Sequence, residues 1–140
     1  MTPTPAIREF LIRLEGLLDE RAWPALDRAA VTVTAGPEAT LVRLPHRDDP
    51  SRSVECEVAE RTVTVIYRPE RVEFTRRDEA LAFVDMLGAG RVVLEVHRGL
   101  GWTTMRSYRD GLARPFRRTR MPWPTLRPRT ERTAFGFTAG

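Results

Sequence analysis

Strict alternation of apolar and polar side chains over residues 54–67 is the feature that most limits the possible fold. An apolar residue recurs at every second position on both sides of a short connection at Glu60-Arg61. Such a period of two places the apolar side chains on one face of a strand and leaves the other face to solvent. The sequence therefore predicts a hairpin within an antiparallel sheet. The alternating apolar residues are Val54, Cys56, Val58, Val63, Val65 and Tyr67.

Two amphipathic segments predict the helices that cover this sheet. Residues 5–20 carry apolar side chains at the three- and four-residue spacing of a helix. A second helix is predicted after Thr75, which suits the N-cap, with Asp78 in the first turn and Gly88 and Gly90 at its end. Short strands are also predicted at residues 30–34, 40–44, 71–75, 91–97 and 101–108. The expected α+β fold has one antiparallel sheet of about six to seven strands with two helices on one face, in the order helix, five strands, helix, two strands.

Charge is distributed unevenly along the chain. All 23 basic residues are arginine; residues 1–105 hold 14 of them against 17 acidic residues, whereas residues 106–140 hold nine against two. Prolines at 115, 122, 124 and 128 argue against a long helix or a central strand in the basic part. We therefore predict an α+β domain over residues 1–109, followed by an irregular Arg- and Pro-rich extension over residues 110–140.

The sequence contains few residues of the types that commonly act in catalysis. His46 and His97 lie far apart in the sequence, and we expect both to be exposed. The single cysteine, Cys56, falls on the apolar side of a strand and is expected to be a buried structural thiol. Zinc-ligand spacing, glycine-rich phosphate loops and nucleophile elbows are missing from the sequence. The sequence predicts a protein that is not an enzyme and that uses no metal or cofactor.

The sequence also carries no signal for a membrane. No apolar run has the length of a transmembrane helix, and residues 1–6 do not resemble a secretory leader. We expect a cytoplasmic protein that has no membrane partner.

Arginines mixed with aromatic residues indicate a binding surface. Trp102, Arg106 and Tyr108 fall on one face of the last predicted strand, a combination typical of interfaces, although such a tryptophan more often packs in a core. The extension supplies further arginines, for which three roles stay open: contact with nucleic acid, contact with an acidic partner protein, and docking onto the domain's own Glu55, Glu57, Glu60 or first helix. The candidate partner-binding residues are Trp102, Arg106, Tyr108, Arg114, Arg117, Arg118, Arg120 and Trp123.

One segment resembles a known family. Its pattern is Phe74-x₅-Ala80-x₂-Phe83-Val84-x₂-Leu87, followed by Gly90-Arg91-Val92 and Arg98-Gly99-Leu100. Over residues 70–105 the chain is similar to small actinobacterial immunity proteins of polymorphic toxin systems, in particular immunity protein 61, the partner of NAD-hydrolysing secreted toxins. The resemblance implies a non-enzymatic protein that blocks a toxin by binding it. The extension lies outside the resemblance.

The sequence thus favours a protein-binding protein of the immunity type. Two alternatives remain: a nucleic-acid-associated protein that uses the Arg-rich extension, and a small secretion chaperone or adaptor with an exposed apolar groove.

Overall fold

The computed structural model describes residues 3–109 and 114–138 of the 140-residue chain. Over these residues the chain forms two α-helices and nine β-strands, numbered in chain order. The helices are α1 (Pro5–Arg21) and α2 (Arg77–Gly88). The strands are β1 (Thr32–Ala35), β2 (Ala39–Leu44), β3 (Val54–Ala59), β4 (Val63–Tyr67), β5 (Glu70–Phe74), β6 (Val92–Arg98), β7 (Thr103–Arg109), β8 (Arg117–Met121) and β9 (Arg129–Ala134).

Strands β1 to β5 form a five-stranded antiparallel sheet, the first sheet, in which each strand pairs with the next along the chain. The alternation is confirmed in β3, because its apolar residues are buried and the two glutamates between them are partly exposed. The apolar series of β4 is buried on the same side of the sheet. In β4 the alternation is interrupted at Ile66, which lies on the other face opposite Glu55 and is buried as well. The predicted α+β class with antiparallel pairing is therefore confirmed.

Strands β6 to β9 form a separate sheet, the second sheet, in the order β8-β7-β6-β9. The prediction of a single sheet with six to seven strands is therefore wrong. The β6–β7 hairpin lies where it was predicted, but β8 and β9 come from the extension that was expected to be irregular. These two Arg-rich strands form because each edge of the hairpin presents a row of backbone donors and acceptors to pair with.

Both helices pack on the same face of the first sheet, α1 against β3 and α2 against β4 and β5. The start of α1 is fixed by Thr4, whose Oγ1 accepts a hydrogen bond from the backbone N–H of Ile7 at 3.3 Å. Helix α2 begins one residue later than predicted: its N-cap is Arg76, not Thr75. Asp78 and Glu79 lie in its first turn, where a negative charge favours the free backbone amides.

Two phenylalanines near the end of the chain complete the hydrophobic core. Phe135 and Phe137 are both 1% exposed. The ring of Phe135 meets that of Tyr67 edge-on at 5.3 Å between centroids, and the ring of Phe137 lies 5.8 Å from that of Trp23. The extension therefore contributes to the same core as residues 1–109.

The backbone around Gly136 holds these two rings in place. The N–H of Phe137 donates to the carbonyl of Gly88 at the end of α2 at 2.9 Å. Gly136 has a φ of +149°, and a Cβ at this position would lie 2.6 Å from the Cα of Gly90. Both the backbone angle and the close approach require glycine here.

Candidate functional site

The outer face of the second sheet, turned away from the core, gathers most of the predicted partner-binding residues. Residues directly opposite each other in an antiparallel pair share a face. Arg106 of β7 lies opposite Arg118 of β8, and Thr104 lies opposite Arg120. Tyr108 shares this face because it alternates with the buried Ser107. Five of the eight predicted residues are therefore placed together: Trp102, Arg106, Tyr108, Arg118 and Arg120.

Two further charged residues on this face were not among the predicted ones. Glu95 of β6 lies opposite Arg106 on one side and Arg132 of β9 on the other. Its Oε1 is 3.5 Å from Arg106 Nη1, and its Oε2 is 3.1 Å from Arg132 Nη1. The face therefore carries four arginines and one carboxylate, a net charge of +3. The register of the predicted β6–β7 hairpin could have indicated Glu95, whereas Arg132 could be placed only once β9 was known to be a strand.

The two aromatic side chains of the face each pack against an arginine. The guanidinium carbon of Arg120 lies 4.5 Å from the ring centroid of Trp102, and that of Arg132 lies 5.8 Å from the ring centroid of Tyr108. Trp102 is 46% exposed, so it lies at the surface and not in the core. These cation–π contacts hold each arginine side chain near its ring and so limit its conformational freedom.

Arg117 does not belong to this face. Its Nε donates to Glu70 Oε2 at 2.5 Å, and its Nη2 donates to the carbonyl of Arg71 at 2.9 Å. Glu70 is 3% exposed and also accepts from the hydroxyl of Thr119 at 3.1 Å. Removal of one partner from a buried ion pair leaves the other charge uncompensated. Arg117 therefore joins β8 to β5, and a role in partner binding is not supported by its position.

The other two predicted residues lie in loops. Arg114 is exposed and precedes β8. Trp123 is 44% exposed in the connection from β8 to β9, and its backbone carbonyl accepts from the hydroxyl of Thr103 at 2.7 Å. That hydrogen bond fixes the loop of Trp123 to the end of the second sheet that carries Trp102.

The extension does not dock onto Glu55 or Glu57, two of the acidic residues for which the sequence predicted such a contact. Glu55 is paired with Arg68 at 3.4 Å and Glu57 with Arg71 at 2.9 Å, and both arginines belong to the first sheet or its turn. The extension instead reaches Glu70 through Arg117 and Glu95 through Arg132. Two of its arginines are thus bound to the body of the protein, whereas Arg118 has no carboxylate partner among the described residues.

The burial and hydrogen-bond partners of the two histidines and the cysteine indicate structural roles. His46 was expected to be exposed, but it is 4% exposed, and its Nδ1 accepts from the backbone N–H groups of Asp48 and Asp49 at 3.1 Å each. His97 is exposed, and its Nδ1 lies 2.8 Å from Thr130 Oγ1. Cys56 is buried as predicted, and burial raises the pKa of its thiol to about 12. Within residues 3–109 and 114–138, no group of three or more His, Cys, Asp and Glu side chains could hold a metal ion.

Comparison with known proteins adds no relative. No family model matches the chain, and no significant match is found among curated proteins or solved structures. The similarity of residues 70–105 to immunity proteins stays a prediction. Neither of the described helices is long and apolar enough to span a lipid bilayer.

Proposed function

We propose that this protein is a non-catalytic binding protein that docks the outer face of its second sheet onto an acidic surface of another protein. The clustering of four arginines and two aromatic side chains around one carboxylate supports this proposal. Arginine, tryptophan and tyrosine are the residues most enriched at the energetic centres of protein interfaces. A flat sheet face that carries them suits a partner with carboxylates at matching spacing.

The cross-strand pair of Arg106 and Arg118 further supports an anionic partner. Like charges directly opposite each other in a sheet are destabilising. Glu95 is shared between Arg106 and Arg132 and does not reach Arg118. A carboxylate of the partner placed between Arg106 and Arg118 would relieve their repulsion and accept charge-assisted hydrogen bonds from both.

The resemblance of residues 70–105 to immunity proteins suggests what the partner is. Under this proposal the partner is a secreted toxin, and the protein neutralises it by covering its functional surface. This protein needs no catalytic group for that purpose, because blocking the toxin's surface depends only on the affinity between the two proteins.

A charge-reversal experiment in the full chain tests the proposal. The variant R106E/R118E changes the net charge by four, and the control R8E/R61E changes it equally at exposed positions outside the second sheet. Both purified variants are first checked for native circular dichroism, and each is then titrated against an acidic protein that co-purifies with the parent from its native cell. We expect R106E/R118E to bind at least about 30-fold more weakly, which corresponds to about 2 kcal/mol, and the control to bind within a few-fold of the parent. Equal loss in both variants would count against the proposed face.

Nucleic acid is the second candidate, favoured by the exposed ring of Trp102 and the half-buried ring of Tyr108 beside arginines, because bases stack on such rings. The sequence contains none of the known nucleic-acid-binding motifs, which is why we rank nucleic acid second. Fluorescence titration of a labelled oligonucleotide at several salt concentrations separates the two candidates. Affinity that falls steeply with salt and is lost in R106E/R118E would favour nucleic acid. Deletion of residues 110–140 cannot serve here, because β8, β9, Phe135 and Phe137 belong to the fold.

A further inference from the structure

Three arginines converge in a cleft on the other side of the second sheet from the proposed docking face. Arg43 comes from β2, Arg68 from the turn between β4 and β5, and Arg98 from the end of β6. The cleft has a volume of about 550 Å³. Small-molecule sites commonly span about 300–1,000 Å³. Because its walls come from both sheets, the site is created by the tertiary structure.

Positive charge is in excess in this cleft. Glu55 is the one carboxylate that lines it, and it lies 3.4 Å from Arg68, whose side chain is 78% exposed. In the part of the chain that the structure describes, neither Arg43 nor Arg98 forms a salt bridge. Three guanidinium groups therefore face one carboxylate, a net charge of +2.

Two polar groups of the cleft residues have unused hydrogen-bonding capacity. The Nε of Arg98 is buried and has no hydrogen-bond partner among the described residues. An unpaired buried donor of a charged group is costly, so a shift of the Arg98 side chain that brings this Nε to a ligand oxygen would be favourable. The Oγ of Ser53 accepts from the backbone N–H of His46 at 3.1 Å, and its own O–H has no acceptor among the described residues.

We infer that this cleft binds the phosphate group of a small molecule. A phosphate dianion matches the charge excess, and its oxygens accept hydrogen bonds in the planar geometry that guanidinium groups offer. Arg98 and Arg43 bind the phosphate oxygens, and Ser53 donates from the loop that precedes β3. The remaining volume accommodates the organic part of the ligand. This site is independent of the proposed docking face, since no residue is shared between them.

Calorimetric titration of the full chain with inorganic phosphate, and separately with a nucleoside monophosphate, tests this inference at constant ionic strength. The variants are R98Q and R43Q, and the control is R61Q, whose exposed arginine lies in the β3–β4 turn outside the cleft. We expect binding to the parent and to R61Q, and a loss of about tenfold or more in each cleft variant, because each removes a charge-assisted contact. R43Q keeps the experiment informative if R98Q does not fold, since Arg43 is exposed on β2.

The two ligands distinguish the source of the phosphate. Tighter binding of the nucleotide supports a cleft that holds a phosphorylated organic molecule, and equal binding supports recognition of the phosphate alone. The inference is overturned if neither ligand binds at millimolar concentration, or if R43Q binds as tightly as the parent. Neither result depends on partner docking, so failure here leaves the proposed function untouched.

Discussion

The outer faces of the two sheets differ in how their charges are arranged. The outer face of the first sheet carries two arginines and three glutamates, and Arg71 pairs with Glu57 on it at 2.9 Å. The outer face of the second sheet carries four arginines and one glutamate. The charged residues on the outer face of the first sheet are Arg43, Arg71, Glu55, Glu57 and Glu73.

This difference follows from the origin of the strands. The first sheet is made entirely from the acidic part of the chain, whereas half of the second sheet comes from the basic extension. Similar architecture therefore gives an outer face with a net charge of −1 in the first sheet and an outer face with a net charge of +3 in the second. This difference in charge is the reason that we propose the outer face of the second sheet as the docking face.

The largest expected effect is the loss of stability when the phenylalanines near the end of the chain are truncated. We expect F135A and F137A each to lower the free energy of unfolding by about 3–5 kcal/mol, because each leaves a cavity in the core. That loss is a large part of the total stability of a domain this size, about 5–15 kcal/mol. Urea unfolding followed by circular dichroism measures it. The control W123A truncates an exposed aromatic in the same extension and should cost about 1 kcal/mol or less. If F137A unfolds at the same urea concentration as W123A, the extension is not part of the core.

Alkaline pH should lower the stability of the fold. Burial raises the pKa of Cys56 from 9.0 to about 12, and burial also raises that of Tyr67 from 10.0 to about 12. A pKa that is higher in the folded state gives stability that is complete below the unfolded-state value and is lost as the pH rises through the folded-state value. The free energy of unfolding should therefore decline from about pH 9 towards pH 12, by about 4 kcal/mol for Cys56 and about 3 kcal/mol for Tyr67.

Two variants assign this decline, measured by urea unfolding at a series of pH values. C56A should remove the part of the decline that is due to Cys56 and leave the part that is due to Tyr67. Y67F should remove the decline due to Tyr67, and at neutral pH it also loses the hydrogen bond of 2.9 Å between the hydroxyl groups of Tyr67 and Ser107 in the second sheet. If the decline is unchanged in both variants, these two groups are not its cause.

The smallest expected effect compares the outer faces directly. R71T removes the ion pair with Glu57 from edge strand β5 and should lower the free energy of unfolding by about 0.5 kcal/mol. R118T makes the same change in edge strand β8 but removes a like-charge neighbour of Arg106. It should raise the free energy of unfolding by about 0.3 kcal/mol. The identical substitution cancels the difference in strand propensity. Paired urea curves at low salt measure the difference, and equal destabilisation by both changes would refute the contrast between the faces.

Local patterns in the sequence determined much of the first sheet and both helices. The period of two in β3 and β4 and the helical spacing of α1 depend only on neighbouring residues, because side-chain direction follows from the backbone geometry of each element. The same local information placed the β6–β7 hairpin and the burial of Cys56. It also put Trp102, Arg106 and Tyr108 on one face of a strand, which the structure confirms.

Tertiary structure alone decided the second sheet and what its outer face holds. Strand β8 has arginine and threonine where a local pattern would need apolar residues, and it forms because β7 offers an unpaired edge. Glu95 meets Arg132 only through the pairing of β6 with β9, and Arg98 approaches Arg43 only where the two sheets come together. Contacts between residues so distant in the chain depend on how the elements pack, which no local periodicity encodes.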